Sequence, residues 1–217
     1  MHIAILTFQG FNELDSLIAL GVLNRVRKPG WRVTLCCPDA EVTSMNGVTV
    51  RAQSRLEEAA SAEAVIVGSG IRTREIVDSP ELLDRVRLDP DRQLIGAQCS
   101  GTLVLARLGL VRDVPACTDL ITKPWVQEAG VEVLNQPFFA AGNVATAGGC
   151  LASAYLAAWI IARTEGVEAA ASALHYVAPV GEKEAYVENA LAAIEPYLPR
   201  RDDKRARIAT PTVHDTP

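Results

Sequence analysis

The chain is poor in histidine: only His2, His175 and His214 are present, far apart, and no CxxC pair accompanies them. The donor sets of a zinc or other transition-metal centre are therefore missing. Five cysteines make an odd number, and Cys36 adjoins Cys37. That argues against a paired disulfide framework and for reduced thiols in the cytoplasm. The formal net charge of −5 leaves no basic footprint for nucleic acid. No basic leader or cleavage site precedes the first apolar run, Ile3-Ala4-Ile5-Leu6. The most apolar stretch, Leu151 to Ala162, holds Ser153 and Tyr155 and stops at Arg163. It is too short to cross a bilayer and reads as a core helix, so no membrane partner is expected. Internal repeats and long linkers are also lacking. What is there is 217 residues, 49% hydrophobic and 22% charged. That suits one α/β domain with a full core, assigned to 1–199. The polar, charged, proline-containing stretch 200–217 reads as a tail outside it.

Near-continuous apolar runs mark buried parallel strands at His2 to Phe8, Trp31 to Cys37, Ala64 to Val67 and Gln93 to Gly96. Helical periodicity lies between them, over Phe11 to Val26 and Thr73 to Leu88. Val42 to Val50 reads as a hairpin turning at Asn46-Gly47. In the second half, Ala116 to Thr118 reads as a strand and Pro124 to Ala129 as a short helix. Val131 to Ala145 reads as a hairpin turning at Gly142-Asn143. Helices follow from Gly148-Gly149 to Arg163, over Val167 to Leu174 and over Lys183 to Leu198. Strands alternating with helices predict a parallel sheet covered on both faces, with its site beyond the carboxyl ends of the strands.

Ala97-Gln98-Cys99-Ser100-Gly101 stands at such an end. A cysteine between small residues at a strand-to-helix turn has the pattern of a nucleophile elbow. The helix start behind it favours the thiolate. From these five residues alone, a reactive thiol and a buried structural cysteine are equally compatible. The site reading gains weight because Gly10 to Asp15 and Gly68-Ser69-Gly70 end at the same edge of the sheet. Trp31 and Trp159 read as core, and Trp125 as packing in preference to a cleft wall. Arg72 and Arg74 follow the glycine turn, either to meet an acidic substrate group or as a solvated helix start.

Four stretches resemble the PfpI/ThiJ superfamily: Phe8 to Asp15, similar to its F-x-x-x-x-x-L-D segment; Gly68-Ser69-Gly70; the Cys99 elbow; and Thr146-Ala147-Gly148-Gly149. Tyr176-Val177-Ala178-Pro179 resembles a degraded Y-x-P-x-P segment. The resemblance covers residues 1–198. It implies a flavodoxin-like α/β sandwich like that of class I glutamine amidotransferase domains, and a homodimer. The Leu14-Asp15 pair is most similar to the isocyanide hydratase branch, where aspartate replaces glutamate. That implies Asp15 hydrogen-bonding the Cys99 sulfur.

The chain departs from other branches. Ser100 follows the cysteine where proteases of the superfamily carry histidine, and Ala116-Cys117-Thr118-Asp119 stands where many members place one. His2 starts a core strand, His214 lies in the tail, and His175 would need a dimer or a folded-back segment to reach the site. Asp15 is thus the acid–base candidate, its pKa raised by burial and by a neighbouring thiolate. Its alternative is a solvated first-turn acid. Asp119 reads as structural or as polar pocket lining.

The expected chemistry is addition of water to, or hydrolysis of, a small C–N electrophile. Cys99 attacks carbon, Asp15 protonates the adjacent atom, and backbone N–H groups of Ser69, Gly70 and Ser100 hold developing charge. For an isocyanide the resemblance implies a thioimidate and an N-substituted formamide. Aldehydes or glycated amines are related substrates, though the missing histidine argues against glyoxalase-like members. No cofactor is expected, since Gly68-Ser69-Gly70 lacks dinucleotide-loop spacing. The alternative is a redox or stress sensor working through an oxidisable Cys99, for which Cys117 and Cys150 are the thiols that folding could bring near. A regulator is least expected, because little chain remains for a DNA-binding domain.

Overall fold

The computed structural model describes residues 1–199; the segment 200–217 read as a tail lies outside them. Seven strands form the central sheet in the order β5-β2-β1-β6-β7-β9-β8. They are β1 (His2–Leu6), β2 (Arg32–Cys37), β5 (Ser54–Arg55), β6 (Ala64–Val67), β7 (Leu94–Gln98), β8 (Phe138–Ala141) and β9 (Val144–Ala147). All neighbours run parallel except β8 and β9. Strands β3 (Glu41–Thr43) and β4 (Thr49–Arg51) make a separate antiparallel hairpin.

Strand periodicity divides the core in two. Ile3, Ile5, Val33, Leu35, Ala64 and Ile66 face one side. There they meet α1 (Glu13–Leu23), α6 (Ser153–Glu165), α7 (Val167–Val177) and α8 (Lys183–Ile194). Ala4, Leu6, Val65, Val67, Ile95 and Ala97 face the other. Their cover is α2 (Thr73–Val77), α3 (Pro80–Leu83), α4 (Gly101–Arg107) and α5 (Lys123–Glu128). Because both faces are covered, the central strands are apolar throughout. The sheet flanked by helices is the α/β architecture expected from the alternation, and it is flavodoxin-like, as the resemblance implies. Among the described residues no helix is long and apolar enough to cross a membrane.

Three segments differ from the periodicity reading. The helix expected over Thr73 to Leu88 is split into α2 and α3. Ser79, extended at φ −102° and ψ 99°, precedes Pro80 and caps α3, and a residue before proline is driven out of the helical region. Ala116 to Thr118 makes a single bridge, Ala116 to Val133, in place of a strand. The second hairpin turns at Gly142-Asn143 but starts only at Phe138, since Pro137 supplies no N–H for a ladder.

Candidate functional site

The carboxyl edge of the sheet collects the loops after β1, β6, β7 and β9. Cys99 follows β7 directly and has φ 46°, the one positive φ outside glycine among the described residues. Such a conformation costs roughly 1–2 kcal/mol for an L-residue, and strain of this kind concentrates at functional sites. Two bonds fix it. Cys99 N–H donates to Ala147 O at 2.8 Å, and Thr118 Oγ1 donates to Cys99 O at 2.8 Å. Gly101 lets α4 begin against the end of β6, where a Cβ would collide with the Val67 carbonyl oxygen.

Asp15 reaches the same place from the first turn of α1. The Asn12 side chain caps that helix by accepting Leu14 N–H at 3.1 Å. Gly70 packs the next loop tightly against it, since a Cβ there would lie 2.5 Å from Gly10 O. Ser69 is thereby placed to donate its hydroxyl to Asp15 Oδ2. Asp15 is fully buried, and its Oδ1 has no hydrogen-bond partner among the described residues. The groups it faces are the thiols of Cys150 and Cys99. Burial pushes the Asp15 carboxyl above its ordinary range, against the opposing bonds from Ser69, Cys150 and Cys99.

The sequence reading favours a thiolate at Cys99, and here the structure corrects it. Burial first, then the Asp15 carboxylate, pushes the Cys99 thiol up. The single seven-residue helix behind it does not offset this. Burial disfavours charge on both groups, and an ionised Asp15 further disfavours a Cys99 thiolate, so the two titrate as one unit. The pair Asp15–Cys99 resists a second ionisation and so keeps a proton to pass. Opposing the upward push are contacts to the sulfur from Gly149 N–H and from Gln98 Nε2, the latter at 3.4 Å. Gln98 Nε2 also donates to Gly149 O at 2.8 Å.

The other expected site residues take more specific places. Gly70 N–H donates to Ser100 Oγ at 3.0 Å, and Thr73 Oγ1 lies 2.7 Å from that oxygen. Gly70 is thus engaged and does not offer a free donor, contrary to the oxyanion reading. Ser69 acts through its hydroxyl on Asp15. Ser100 N–H has no acceptor among the described residues. Asp119 Oδ1 accepts Ile121 N–H and Thr122 N–H, each at 2.9 Å, bracing the turn into α5. It also lines the cavity.

That cavity measures about 260 Å³, with Cys99 and Ser100 on its floor. Met45, Ile71, Ile121 and Trp125 form apolar walls. Trp125 packs against the core below α5 and also lines the cleft; the Arg74 guanidinium lies 5.3 Å from its ring centroid. Arg72 pairs with Glu75 instead of entering the cavity. Asp119 is the one charged lining residue among the described residues. Cys150 also lines the cavity and accepts Asn12 Nδ2 at 3.3 Å. Cys117 is buried elsewhere, its N–H donating to Thr146 Oγ1 at 2.8 Å. His2 is bonded to Thr34 at the opposite end of β1. A larger depression of about 700 Å³ between α7 and α8 holds His175 and Glu184 but no thiol. His214 lies outside the described residues.

Comparison with known proteins gives one family, described as the DJ-1/PfpI family, matched over residues 1–163. No curated protein matches the chain. Among solved structures, Drosophila melanogaster DJ-1beta is 21% identical, with 81% of this chain and 96% of that one covered at a TM-score of 0.71. A THiJ/PfpI family protein from Pseudomonas syringae is 17% identical, covering 89% and 87% at 0.72. Oxidised Toxoplasma gondii DJ-1 is 16% identical, covering 81% and 97% at 0.68. At these identities the structural likeness is one of fold.

Proposed function

Because the chain belongs to the DJ-1/PfpI family, we propose that it is a cysteine-dependent enzyme that adds water to a small, uncharged C–N electrophile, an isocyanide, to give an N-substituted formamide. The observation that carries this is the buried Asp15 carboxyl facing the strained Cys99 thiol. It is an acid–base group where a histidine is missing. As the Cys99 sulfur bonds to the terminal isocyanide carbon, Asp15 takes the thiol proton and delivers it to that same carbon, leaving a thioimidate. Water then adds to the carbon, with Asp15 relaying its proton to nitrogen. The C–S bond breaks, the hydroxyl proton returns to sulfur, and the formamide leaves. Ser100 N–H faces the charge that develops on nitrogen.

The cavity supports the substrate class. Its walls are apolar and, among the described residues, its lining holds no cationic side chain, which suits a neutral organic substituent over an anion. Peptide hydrolysis on a Cys-His plan is disfavoured, because Ser100 follows the cysteine and hydrogen-bonds into the Gly70 turn. A second reading, a thiol that senses oxidants, is favoured by a separate observation, the Cys150 thiol on the same carboxyl.

The test is formamide production from a simple alkyl isocyanide, with Cys99→Ala and Asp15→Asn alongside. Turnover should vanish in the first and fall by roughly 10²–10⁴-fold in the second, the usual worth of a general acid–base group. No formamide from the intact protein would set isocyanides aside.

A further inference from the structure

One thiol at the site is not required by the hydration chemistry. Cys150 opens a 3-10 turn, Cys150–Ala152, directly after β9 and Gly148-Gly149. Its neighbour Gly149 touches the Cys99 sulfur through its N–H and receives Gln98 Nε2 through its carbonyl. Both thiols line one cavity, and both lie beside the carboxyl of Asp15. Cys150 is held in place by Asn12 Nδ2 at 3.3 Å. It is half-buried, whereas Cys99 is 4% exposed. The hydration reaction uses none of the Cys150 sulfur.

We infer that Cys99 and Cys150 form a redox pair, in which Cys150 resolves a Cys99 sulfenic acid to an intramolecular disulfide. The oxidant is a small hydroperoxide entering the cavity. The Cys99 sulfur attacks the terminal peroxide oxygen, the O–O bond breaks, and the alcohol or water leaves with the thiol proton. Cys99 is then a sulfenic acid, oxidised by two electrons. The Cys150 sulfur attacks that sulfur. Asp15 takes the Cys150 proton and hands it to the departing hydroxyl, so water leaves as the S–S bond forms. A carboxyl shared by both thiols is placed for this relay. Closure draws the Cys150 turn toward Cys99, pivoting at Gly149, which is exposed and has φ 89°. An external dithiol reverses the reaction.

This inference stands apart from isocyanide turnover, so a protein inactive on isocyanides still tests it. Intact protein is treated with hydrogen peroxide, quenched with a thiol-alkylating reagent and mapped without reduction by mass spectrometry. The expected product is a Cys99–Cys150 cross-linked peptide that a dithiol reductant removes. In Cys150→Ser the cross-link should be absent and a dimedone-trapped Cys99 sulfenate should rise at least several-fold. On longer exposure it should pass to the sulfinic acid. Cys117→Ser serves as the thiol control and should leave the cross-link in place. The pairing is overturned if native protein passes to the Cys99 sulfinic acid as fast as Cys150→Ser. It is equally overturned if Cys99 stays reduced, or if the cross-link joins another pair. Circular dichroism of each variant establishes that the comparison is between folded proteins.

Discussion

Asp15 is held in the fold at a cost to stability, and the sign of that cost is testable. Its carboxyl ordinarily titrates near 3.8 and is raised here by burial. As pH climbs past that ordinary value the unfolded chain gives up the proton while the folded chain keeps it, so stability falls until the folded carboxyl also ionises. At neutral pH the unfolded carboxyl is ionised, so that loss is present. Asp15→Asn removes the ionisation and keeps an acceptor for Ser69 Oγ. It should melt a few degrees higher than the native chain at about pH 7, with the difference closing toward about pH 4. Thermal melts across this range read it, and a lower melting temperature at neutral pH would sink the idea. The same substitution abolishes the proposed proton relay, the trade of stability against function typical of active-site residues. Cys99 and Asp15 were legible in the sequence because each belongs to a local pattern, the elbow and the Leu14-Asp15 turn. The place of Cys150 was not, since its contact with Asn12 spans 138 positions. The thiolate assignment failed for a related reason: a helix start can be read locally, whereas burial cannot.

The elements that build the site do so through close backbone approach. Gly101 starts α4 where a Cβ would strike the Val67 carbonyl, and Gly148 packs equally tightly on the Thr118 carbonyl. Neither obstacle is a flexible side-chain end. Gly101→Ala should therefore destabilise the fold by about 1–3 kcal/mol and shift α4 away from β6, disturbing the elbow. Gly130→Ala, whose Cβ would meet open space at φ 85°, costs only its backbone strain and should leave Cys99 alkylation unchanged. Denaturant titration and the alkylation rate of Cys99 separate the two. Equal alkylation rates in both variants would remove the packing argument. The parallel strands were readable because both faces are buried and their apolar runs are unbroken. Between α4 and β8 the short helix α5 was readable, but its surroundings were not. They are shaped by single bonds such as Cys117 N–H to Thr146 Oγ1 and by the Ala116–Val133 bridge, and no periodicity announces these.

At the scale of the molecule, the cavity mouth is ringed by exposed apolar side chains. Leu120 and Ile121 are 80% and 78% exposed, Leu151 71%, Ile71 63% and Leu14 53%. They belong to one region. Asn46 Nδ2 ties the β3–β4 hairpin to Glu13 at 2.8 Å, and Met45 N–H bonds Phe11 O at 2.9 Å. The Phe11–Gly70 bridge brings the Ile71 loop alongside, and Asn12 reaches Cys150 next to Leu151. An apolar rim of this kind marks an association surface, and family resemblance implies a homodimer. We propose that a second copy of this chain covers the rim, partly closing the cavity and keeping bulk water from the Asp15–Cys99 pair. Sedimentation of the native chain at micromolar concentration should give a dimer. Leu120→Glu with Leu151→Glu, neither of which lines the cavity, should weaken association at least tenfold, equal to about 1.4 kcal/mol. The opened site should then alkylate faster at Cys99. A native chain that sediments as a monomer, or a double variant that still dimerises with unchanged affinity, would place any interface elsewhere and leave the rim facing solvent.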